Sequence, residues 1–249
     1  MKAKTVIVTG ASTGIGKETA RLFIEKGSNV VMNSQNEANL RAAFEEFGSP
    51  ESAVLVSGDI AERSTSEKLV STAFENFGSL DVLVNNAGVF QPKPFLDVEE
   101  SDVERFYKTN LIGTYFTSQT AARRMIEIGN GGSIINVGSV LVDHAIAGFP
   151  ASAPIAIKGA IHSLSIQLAS ELAEHKIRVN TVAPGVIRSG LQAKIGIDDV
   201  DAFGGLHLLN RVGESREVAE GIYYLATADF VTGELLNIDG GHVAGHKFG

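Results

Sequence analysis

The chain has 249 residues, of which 44% are hydrophobic and 20% charged, a composition typical of one globular α/β domain with a large core. Its formal net charge of −8, without a cluster of basic residues, argues against a nucleic-acid partner. The absence of cysteine excludes disulfides and thiolate zinc sites, and the six histidines lack metal-ligand spacing, so we expect no metal site.

A β-branched run and a glycine-rich turn open the chain. Residues 5–9 are typical of a buried strand, and apolar residues at helical spacing begin at Ile15. Gly10, Gly14 and Gly16 therefore lie on the turn between them, where they permit unusual backbone angles and close approach of a ligand. Because a helix start offers unpaired N–H groups and a positive dipole end, the turn predicts a site for the pyrophosphate of a dinucleotide. The alternative is a glycine turn that binds nothing.

The rest of the chain alternates predicted strands with predicted helices. Apolar and β-branched runs predict further strands over residues 29–33, 53–56, 80–84, 133–137, 177–182 and 235–238. Helical spacing predicts helices over residues 37–47, 66–77, 101–128 and 153–173. This alternation favours crossover connections, and therefore a single-domain, doubly wound Rossmann fold over residues 1–249, with a seven-stranded parallel sheet and helices on both faces.

One stretch, residues 184–209, lacks a regular apolar period. It follows the carboxyl end of a predicted strand, which is where ligands bind in such sheets, so we expect a substrate lid there. A surface insertion without function is an equally reasonable interpretation, because long loops are often merely tolerated.

Seven short motifs stand out along the chain. They are Thr9 to Gly16 (TGASTGIG), Asn85 to Gly88 (NNAG), Asn110, Ser139, Lys158, Pro184-Gly185 and Asp239 to Gly241 (DGG). In this order and spacing they resemble the motifs of the short-chain dehydrogenase/reductase family, and the resemblance covers essentially the whole chain.

The resemblance implies a nicotinamide cofactor and hydride transfer at a carbonyl or alcohol carbon, for example in a 3-oxoacyl compound or a small apolar ketone. It assigns Asp59 to the adenine, and Asn86 and Gly88 to the ribose region of the cofactor. The full set of implied cofactor contacts is Gly10, Ser12, Thr13, Gly14, Ile15, Gly16, Ser34, Gln35, Asp59, Ile60, Asn86, Ala87, Gly88, Lys158, Pro184, Gly185, Ile187 and Ser189.

Cofactor choice depends on the end of the second predicted strand. An acidic residue there would bind the ribose 2′-hydroxyl of NAD(H), and a nearby arginine would accept the 2′-phosphate of NADP(H). The residues present are Asn33, Ser34 and Gln35. The missing acidic residue favours NADP(H). Because the arginine is missing as well, the 2′-phosphate would have no partner, and NAD(H) is the alternative.

The chain departs from the family pattern at residue 154. In the family, a tyrosine four residues before the lysine acts together with the serine and the asparagine, which resemble Ser139 and Asn110 here. At that place this sequence has Pro154, which has no proton to give, and no tyrosine of the chain is followed by lysine four positions later. Proline is tolerated in the first turn of a helix, here after a possible cap at Ser152.

The implied catalytic group is then Asn110, Ser139, Lys158 and a substitute for the missing tyrosine. Three groups could supply the proton in its place. His144, five residues beyond Ser139, has an ordinary pKa of ~6.5 that suits proton exchange. Water held by Lys158 and Asn110, or the hydroxyl of Ser139 itself, are the other two. An exposed loop histidine without a catalytic role is the simpler interpretation of His144.

Three functions follow from these residues. The first is an NAD(P)-dependent reductase or dehydrogenase with an unusual proton donor. The second, suggested by Pro154, is a dinucleotide-binding protein without redox chemistry that acts as a sensor or an inactive partner subunit. The third is lyase or isomerase chemistry with Lys158 as the acid/base group.

The expected partners are a small-molecule substrate and further copies of the chain. The helix that carries Lys158 is apolar on most sides, and such a helix needs cover on most sides, so we expect a homotetramer or dimer. No apolar run approaches the ~20 residues that span a bilayer, and no signal peptide precedes the first strand. We therefore expect a cytoplasmic protein without a membrane partner.

Overall fold

The computed structural model describes residues 3–191 and 195–245. The strands are β1 Thr5–Val8, β2 Asn29–Ser34, β3 Ala53–Ser57, β4 Val82–Asn85, β5 Gly132–Val137, β6 Ile177–Pro184, β7 Ile187–Arg188, β8 Gly213–Glu214 and β9 Leu235–Ile238. The helices are α1 Gly14–Glu25, α2 Glu37–Glu46, α3 Arg63–Phe77, α4 Glu100–Phe106, α5 Gly113–Ile128, α6 Ser152–Glu171 and α7 Ser215–Thr227. Within the described ranges, no helix combines the length and the apolar character that crossing a membrane requires.

Seven strands form one parallel sheet in the order β3-β2-β1-β4-β5-β6-β9. The predicted doubly wound Rossmann fold with a seven-stranded sheet is therefore confirmed. The strand order reverses direction between β1 and β4, and a crevice for ligands opens at such a point, outside the carboxyl ends of the strands. Strands β7 and β8 pair separately beyond the end of β6.

The sheet is covered on both faces, which explains why its strands are continuous apolar runs. Along β1, Val6 and Val8 pack into one buried cluster with Phe23 of α1, and Ile7 packs into the cluster on the other face. Successive side chains of a strand point to opposite faces, so a strand with apolar partners on both sides needs no polar alternation.

The helical segment predicted over residues 101–128 is confirmed, but it is not one uniform α-helix. It consists of α4 and α5, joined by a π-helical segment, Tyr107–Ile112, which contains Asn110. A π turn widens the helix by one residue and is common at functional sites. Apolar periodicity continues across the insertion, and for that reason the sequence alone predicts one helix.

The N-cap of helix α6 lies one residue earlier than expected. This N-cap is Ala151, which makes no side-chain capping bond, and Ser152 is the first helical residue, so the predicted cap at Ser152 is wrong. The first intrahelical bond runs from the Ile155 N–H to the Ala151 carbonyl (3.0 Å). Pro154 precedes that bond, at a position whose N–H has no helical partner, so the proline leaves the helix intact.

A buried polar network joins the centre of the sheet to the helices on one side. The Asn136 side chain, fully buried in β5, accepts a hydrogen bond from Asn85 Nδ2 of β4 and donates one to Ser165 Oγ of α6, both at 2.8 Å. Asn85 Nδ2 also donates to Ser118 Oγ of α5 (2.9 Å). The network fixes α5 and α6, and therefore Lys158, relative to the strand ends.

Asn136→Ala is expected to lower the free energy of unfolding by about 2–4 kcal/mol, because it leaves Asn85 and Ser165 buried without their partner. Urea denaturation followed by circular dichroism measures the change. Asn76→Ala removes an exposed side chain that bonds only its own helix and is the matched control, expected within about 0.5 kcal/mol of the parent. Equal stability of both variants would contradict a structural role for the network.

Candidate active site

A cavity of about 500 Å³ lies at the carboxyl ends of the sheet strands. Loops that follow β1, β2, β3, β4, β5 and β6 all contribute to its lining, and so does the stretch between β7 and β8. One continuous space therefore joins the glycine turn after β1 to Ser139 and Lys158.

The glycine turn after β1 lets a ligand and neighbouring backbone approach its main chain closely. Gly10 and Gly14 have φ of +65° and +55°, which side chains rarely adopt, and a Cβ on Gly16 would lie 2.2 Å from the Gly10 carbonyl oxygen. Thr13 at the N-cap of α1 makes no side-chain capping bond, and the first turn holds no acidic residue. The N–H groups at this helix start are therefore available to an anion, which fits the pyrophosphate of a dinucleotide.

The turn is locked to the loop after β4. Asn86 Nδ2 donates to the carbonyls of Thr9 (3.0 Å) and Gly10 (3.2 Å), and Thr9 Oγ1 accepts from the N–H groups of Asn86 and Ala87. The Asn-Asn-Ala-Gly motif thus holds the first turn in place from the side. The Asn86 side chain makes these bonds on one side and lines the cavity on the other.

The end of the cavity beside β2 and β3 is polar and almost uncharged. Ser12 Oγ and Ser34 Oγ lie 2.9 Å apart, and Gln35 Nε2 donates to Asp59 Oδ2 (3.0 Å). Asp59 Oδ1 also accepts from the Ala61 N–H (2.9 Å), so this carboxylate stabilises its own turn as well as facing the cavity. Lys17 and Arg21, the basic residues of α1, pair with Glu46 on the exposed surface instead.

Seventeen of the eighteen implied cofactor contacts line the cavity. These residues are Gly10, Ser12, Thr13, Gly14, Ile15, Ser34, Gln35, Asp59, Ile60, Asn86, Ala87, Gly88, Lys158, Pro184, Gly185, Ile187 and Ser189. Gly16 is the exception, because it is buried against Gly10 and Asn86 and acts by letting the helix and the turn pack.

Ser139 and Lys158 both line the cavity. Lys158 Nζ donates to the Val137 carbonyl (2.5 Å), and burial lowers the pKa of the Lys158 ammonium to about 8. Ser139 Oγ accepts from the Leu141 N–H (3.2 Å), which orients the hydroxyl. Both side chains line the cavity, so a titratable ammonium and a hydroxyl face the same space.

The Ser139 backbone is held by a buried histidine, His162. Its N–H donates to Nε2 of His162 (3.3 Å), one turn beyond Lys158 on α6. Burial lowers the pKa of His162, and the nearby Lys158 lowers it further, while Asp143 opposes both. The ring is therefore neutral near pH 7, as an acceptor nitrogen requires.

Asn110 positions a loop and does not line the cavity in the described part of the chain. Its buried side chain donates to the Val89 carbonyl (2.9 Å) and accepts from the Val89 N–H (2.8 Å). Both bonds fix the backbone that follows Gly88, beside the predicted ribose region. The π segment is what turns Asn110 toward this loop, and the sequence gives no signal for that pairing.

Three histidines form a chain of ring contacts next to the cavity. The ring of His242 lies edge-to-face with those of His144 (5.1 Å between centroids) and His207 (5.6 Å). His242 lines the cavity, whereas His144, among the described residues, contacts it through His242. No pattern in the sequence points to His242, which reaches the site from the far end of the chain.

The chain is similar to known proteins over nearly its whole length. A family described as short chain dehydrogenase matches residues 4–199. Among curated proteins, an L-rhamnose 1-dehydrogenase (NAD(P)(+)) of Sphingomonas sp. (strain SKA58) is 36% identical, over 97% of this chain and 96% of that protein.

Solved structures give the same picture. ElxO with NADP bound is similar at a TM-score of 0.89 and 32% identity, covering 98% of this chain and 100% of the other. A 3-ketoacyl-(acyl-carrier-protein) reductase from Brucella melitensis complexed with NADH has a TM-score of 0.90 at 27% identity, covering 97% and 99%. Structures similar to this one are thus known with either nicotinamide dinucleotide bound.

Gly14→Ala is expected to weaken NADPH and NADH binding at least tenfold, because a Cβ at Gly14 would lie 2.9 Å from the Ser189 Cβ at the cavity wall. Isothermal titration calorimetry measures both affinities. Gly27→Ala is the matched control, since Gly27 also has a positive φ (+78°) but nothing within 4 Å of an added Cβ. If the two variants weaken binding equally, backbone strain and not the close approach explains the loss.

Proposed function

Because the chain belongs to the short-chain dehydrogenase family, we propose that it is an NAD(P)-dependent oxidoreductase acting on a carbonyl or alcohol carbon. The observation that carries this proposal is the single cavity that runs from the glycine turn to Ser139 and Lys158. A cofactor held at the turn would reach these two side chains without leaving the cavity.

The residues present fit the cofactor at three points. Main-chain N–H groups at the start of α1 would hold the pyrophosphate, the uncharged side chains around Ser34 the adenosine ribose, and the loop that Asn110 fixes the second ribose. When bound, the nicotinamide supplies hydride to a carbonyl carbon or accepts it from an alcohol. The chain must then provide the proton for the substrate oxygen.

Lys158 is the residue that we propose as the source of this proton. Pro154, one helical turn earlier on α6, stands where the family resemblance expects a tyrosine and has no proton to give. In the reduction direction, the Lys158 ammonium transfers one proton to the oxygen that gains charge as hydride arrives, and an O–H bond forms. The neutral amine then regains a proton from solvent, and oxidation runs through the same steps in reverse.

Ser139 supports this transfer by hydrogen bonding. Its Oγ accepts from the Leu141 N–H, which leaves the hydroxyl proton for the substrate oxygen. A donor aimed at an oxygen that gains charge stabilises the transition state more than the ground state. His144 is the weaker candidate for proton transfer, since the described structure connects it to the cavity through the ring of His242.

With saturating cofactor, kcat/KM for ketone reduction is expected to be constant at low pH and to fall above about pH 8, because the donor is the protonated ammonium of Lys158, whose pKa is about 8. Alcohol oxidation, which needs the neutral amine, is expected to rise with pH and level off above the same value. Cofactor absorbance in steady state measures both profiles.

Lys158→Met is expected to remove this break in the profile and to lower kcat about 10²-fold or more, the usual loss for a positioned general acid. Lys68→Met, at an exposed site on α3, is the control and is expected to keep the parent profile. An unchanged rate and profile in Lys158→Met would rule out Lys158 as the proton carrier.

We propose NADP(H) as the preferred cofactor over NAD(H). The ribose end of the cavity presents the hydroxyls of Ser12 and Ser34, and the carboxylate at this end, Asp59, is already hydrogen-bonded by Gln35 and by the Ala61 N–H. Because the described lining residues at this end include no basic side chain to neutralise the phosphate, NAD(H) is the second cofactor.

Ser34→Asp is expected to shift the preference toward NADH at least tenfold, since its carboxylate would repel the 2′-phosphate and accept from the 2′-hydroxyl. The ratio of kcat/KM for NADPH and NADH measures the shift. Asn76→Asp adds the same charge at an exposed position on α3 and is the control for the change in net charge. An unchanged ratio in Ser34→Asp would place the 2′ position elsewhere.

A second candidate function follows from Pro154. A protein that binds the dinucleotide but lacks the tyrosine would serve as a sensor or as an inactive partner subunit. Cofactor binding without turnover of any ketone or alcohol supports this alternative. Exchange of substrate protons with solvent deuterium, without cofactor oxidation, would instead indicate lyase or isomerase chemistry by Lys158.

We also propose a cytoplasmic homodimer or homotetramer, with residues 184–209, of which 192–194 lie outside the described residues, as a substrate lid. Apolar side chains remain exposed on α6, the helix that carries Lys158 and was expected to be covered by a second copy, for example Ile166 (62% exposed), and also on α5, for example Tyr115 (43% exposed). Exposed apolar surface of this kind on neighbouring helices is typical of contact sites between chains.

A further inference from the structure

The part of the cavity beyond Ser139 and Lys158 has an apolar wall. We call this part the outer chamber. Its wall includes Phe90, Leu141, Phe149, Ile197, Phe203 and Leu206. Among the lining residues within 3–191 and 195–245, the titratable groups on this side are Lys158 and His242, and the His242 side chain is fully buried.

One side of the outer chamber is formed by two loops that hold each other. The Lys93 N–H, after β4, donates to the Pro150 carbonyl before α6 (2.9 Å). Next to this bond the rings of Phe90 and Phe149 lie nearly parallel, with centroids 6.1 Å apart and 13° between their planes. These two contacts hold the two loops together on this side of the chamber.

The opposite side belongs to the expected lid. Phe203 and Leu206 lie on a 3₁₀ segment, Val200–Leu206, whose start is capped by Asp199. Arg188 of β7 pairs with Asp201 of this segment (2.5 Å) and with Glu214 of β8 (3.1 Å), which ties the segment to the small sheet. The charges of this region pair on the outside, and the apolar side chains face inward.

Such a wall selects against hydroxylated substrates. A sugar hydroxyl placed against these side chains would lose its water partners without gaining a protein partner, at a cost of about tenfold in binding per hydroxyl. A buried CH₂ group gains about fourfold in the same place. Among the described residues, the polar side chains that we assign to this chamber are those of Ser139, Lys158 and His242, which are fewer than the hydroxyls of a sugar.

On the basis of the proposed oxidoreductase function, we infer that the substrate is a ketone, or the matching secondary alcohol, with one reacting oxygen and hydrocarbon substituents that fill the outer chamber. The chain would thus differ in substrate from the similar L-rhamnose 1-dehydrogenase named above. Sugars, which carry a hydroxyl on nearly every carbon, are excluded by this wall.

The test compares 2-butanone, 2-hexanone and 2-octanone as substrates for reduction with NADPH, and L-rhamnose and D-glucose for oxidation with NADP⁺. We expect kcat/KM to rise about fourfold for each added CH₂ until the chamber is full. We expect kcat/KM for oxidation of either sugar to be at least 100-fold below kcat/KM for reduction of 2-octanone and for oxidation of 2-octanol. A flat ketone series, or a sugar that reacts faster than 2-octanol, would overturn the inference while leaving the oxidoreductase function standing.

Phe203→Asn probes the wall directly. It is expected to lower the ratio of kcat/KM for 2-octanone over 2-butanone at least fivefold, with the affinity for NADPH unchanged. Phe95→Asn replaces a phenylalanine that is 75% exposed and does not line the cavity, and is expected to keep the parent ratio. An unchanged ratio in a Phe203→Asn protein that binds NADPH would overturn the role of the wall.

The parent ketone series needs no variant, so the inference stays testable if Phe203→Asn does not fold. If NADPH binds and none of the ketones, alcohols or sugars reacts in either direction, the proposed function fails and this inference fails with it.

Discussion

The contact between the first turn and the loop after β4 is the constraint on which the site depends. There is no room for a side chain at residue 16, and Asn86 bonds the carbonyls of Thr9 and Gly10 from the side. This packing brings the start of α1 to the edge of the sheet, at the point where the strand order reverses. The proposed anion site, the loop proposed to contact the ribose, and the side chains of Ser139 and Lys158 all lie along the cavity that begins there.

The sequence predicts the position of the glycine turn because the signals for it are local. Glycines at 10, 14 and 16 sit between a β-branched run and a helical period, and each has a physical reason to be glycine. The parallel strands are equally clear, since burial on both faces turns them into continuous apolar runs. These features depend on neighbours in the chain, so they are visible without a structure.

Features that depend on distant parts of the chain were not predictable. The π segment leaves the apolar period of residues 101–128 intact, yet it decides where Asn110 points. His242, about 100 residues beyond His144 in the sequence, lines the cavity, and no sequence motif indicates this position. The aromatic wall of the outer chamber comes from loops whose sequences show no period at all.

In the proposed mechanism, Pro154 removes the proton donor that the family resemblance implies and leaves the architecture of the site intact. Its missing N–H falls before the first bond of α6, so the helix still delivers Lys158 to the cavity. Burial of Lys158 lowers its pKa to about 8 because desolvation disfavours the charged form, and an ammonium of that pKa can exchange protons near neutral pH. In the proposed mechanism, Lys158 with its lowered pKa therefore takes the role of the missing tyrosine.

Transfer of deuterium from cofactor to product tests that account most directly. NADPH labelled with deuterium at the transferable position of the nicotinamide is incubated with the protein and 2-octanone, and the 2-octanol formed is analysed by mass spectrometry. Hydride transfer in the cavity predicts one deuterium at the carbinol carbon of each product molecule. Product without deuterium, or bound cofactor that never yields alcohol, would contradict it.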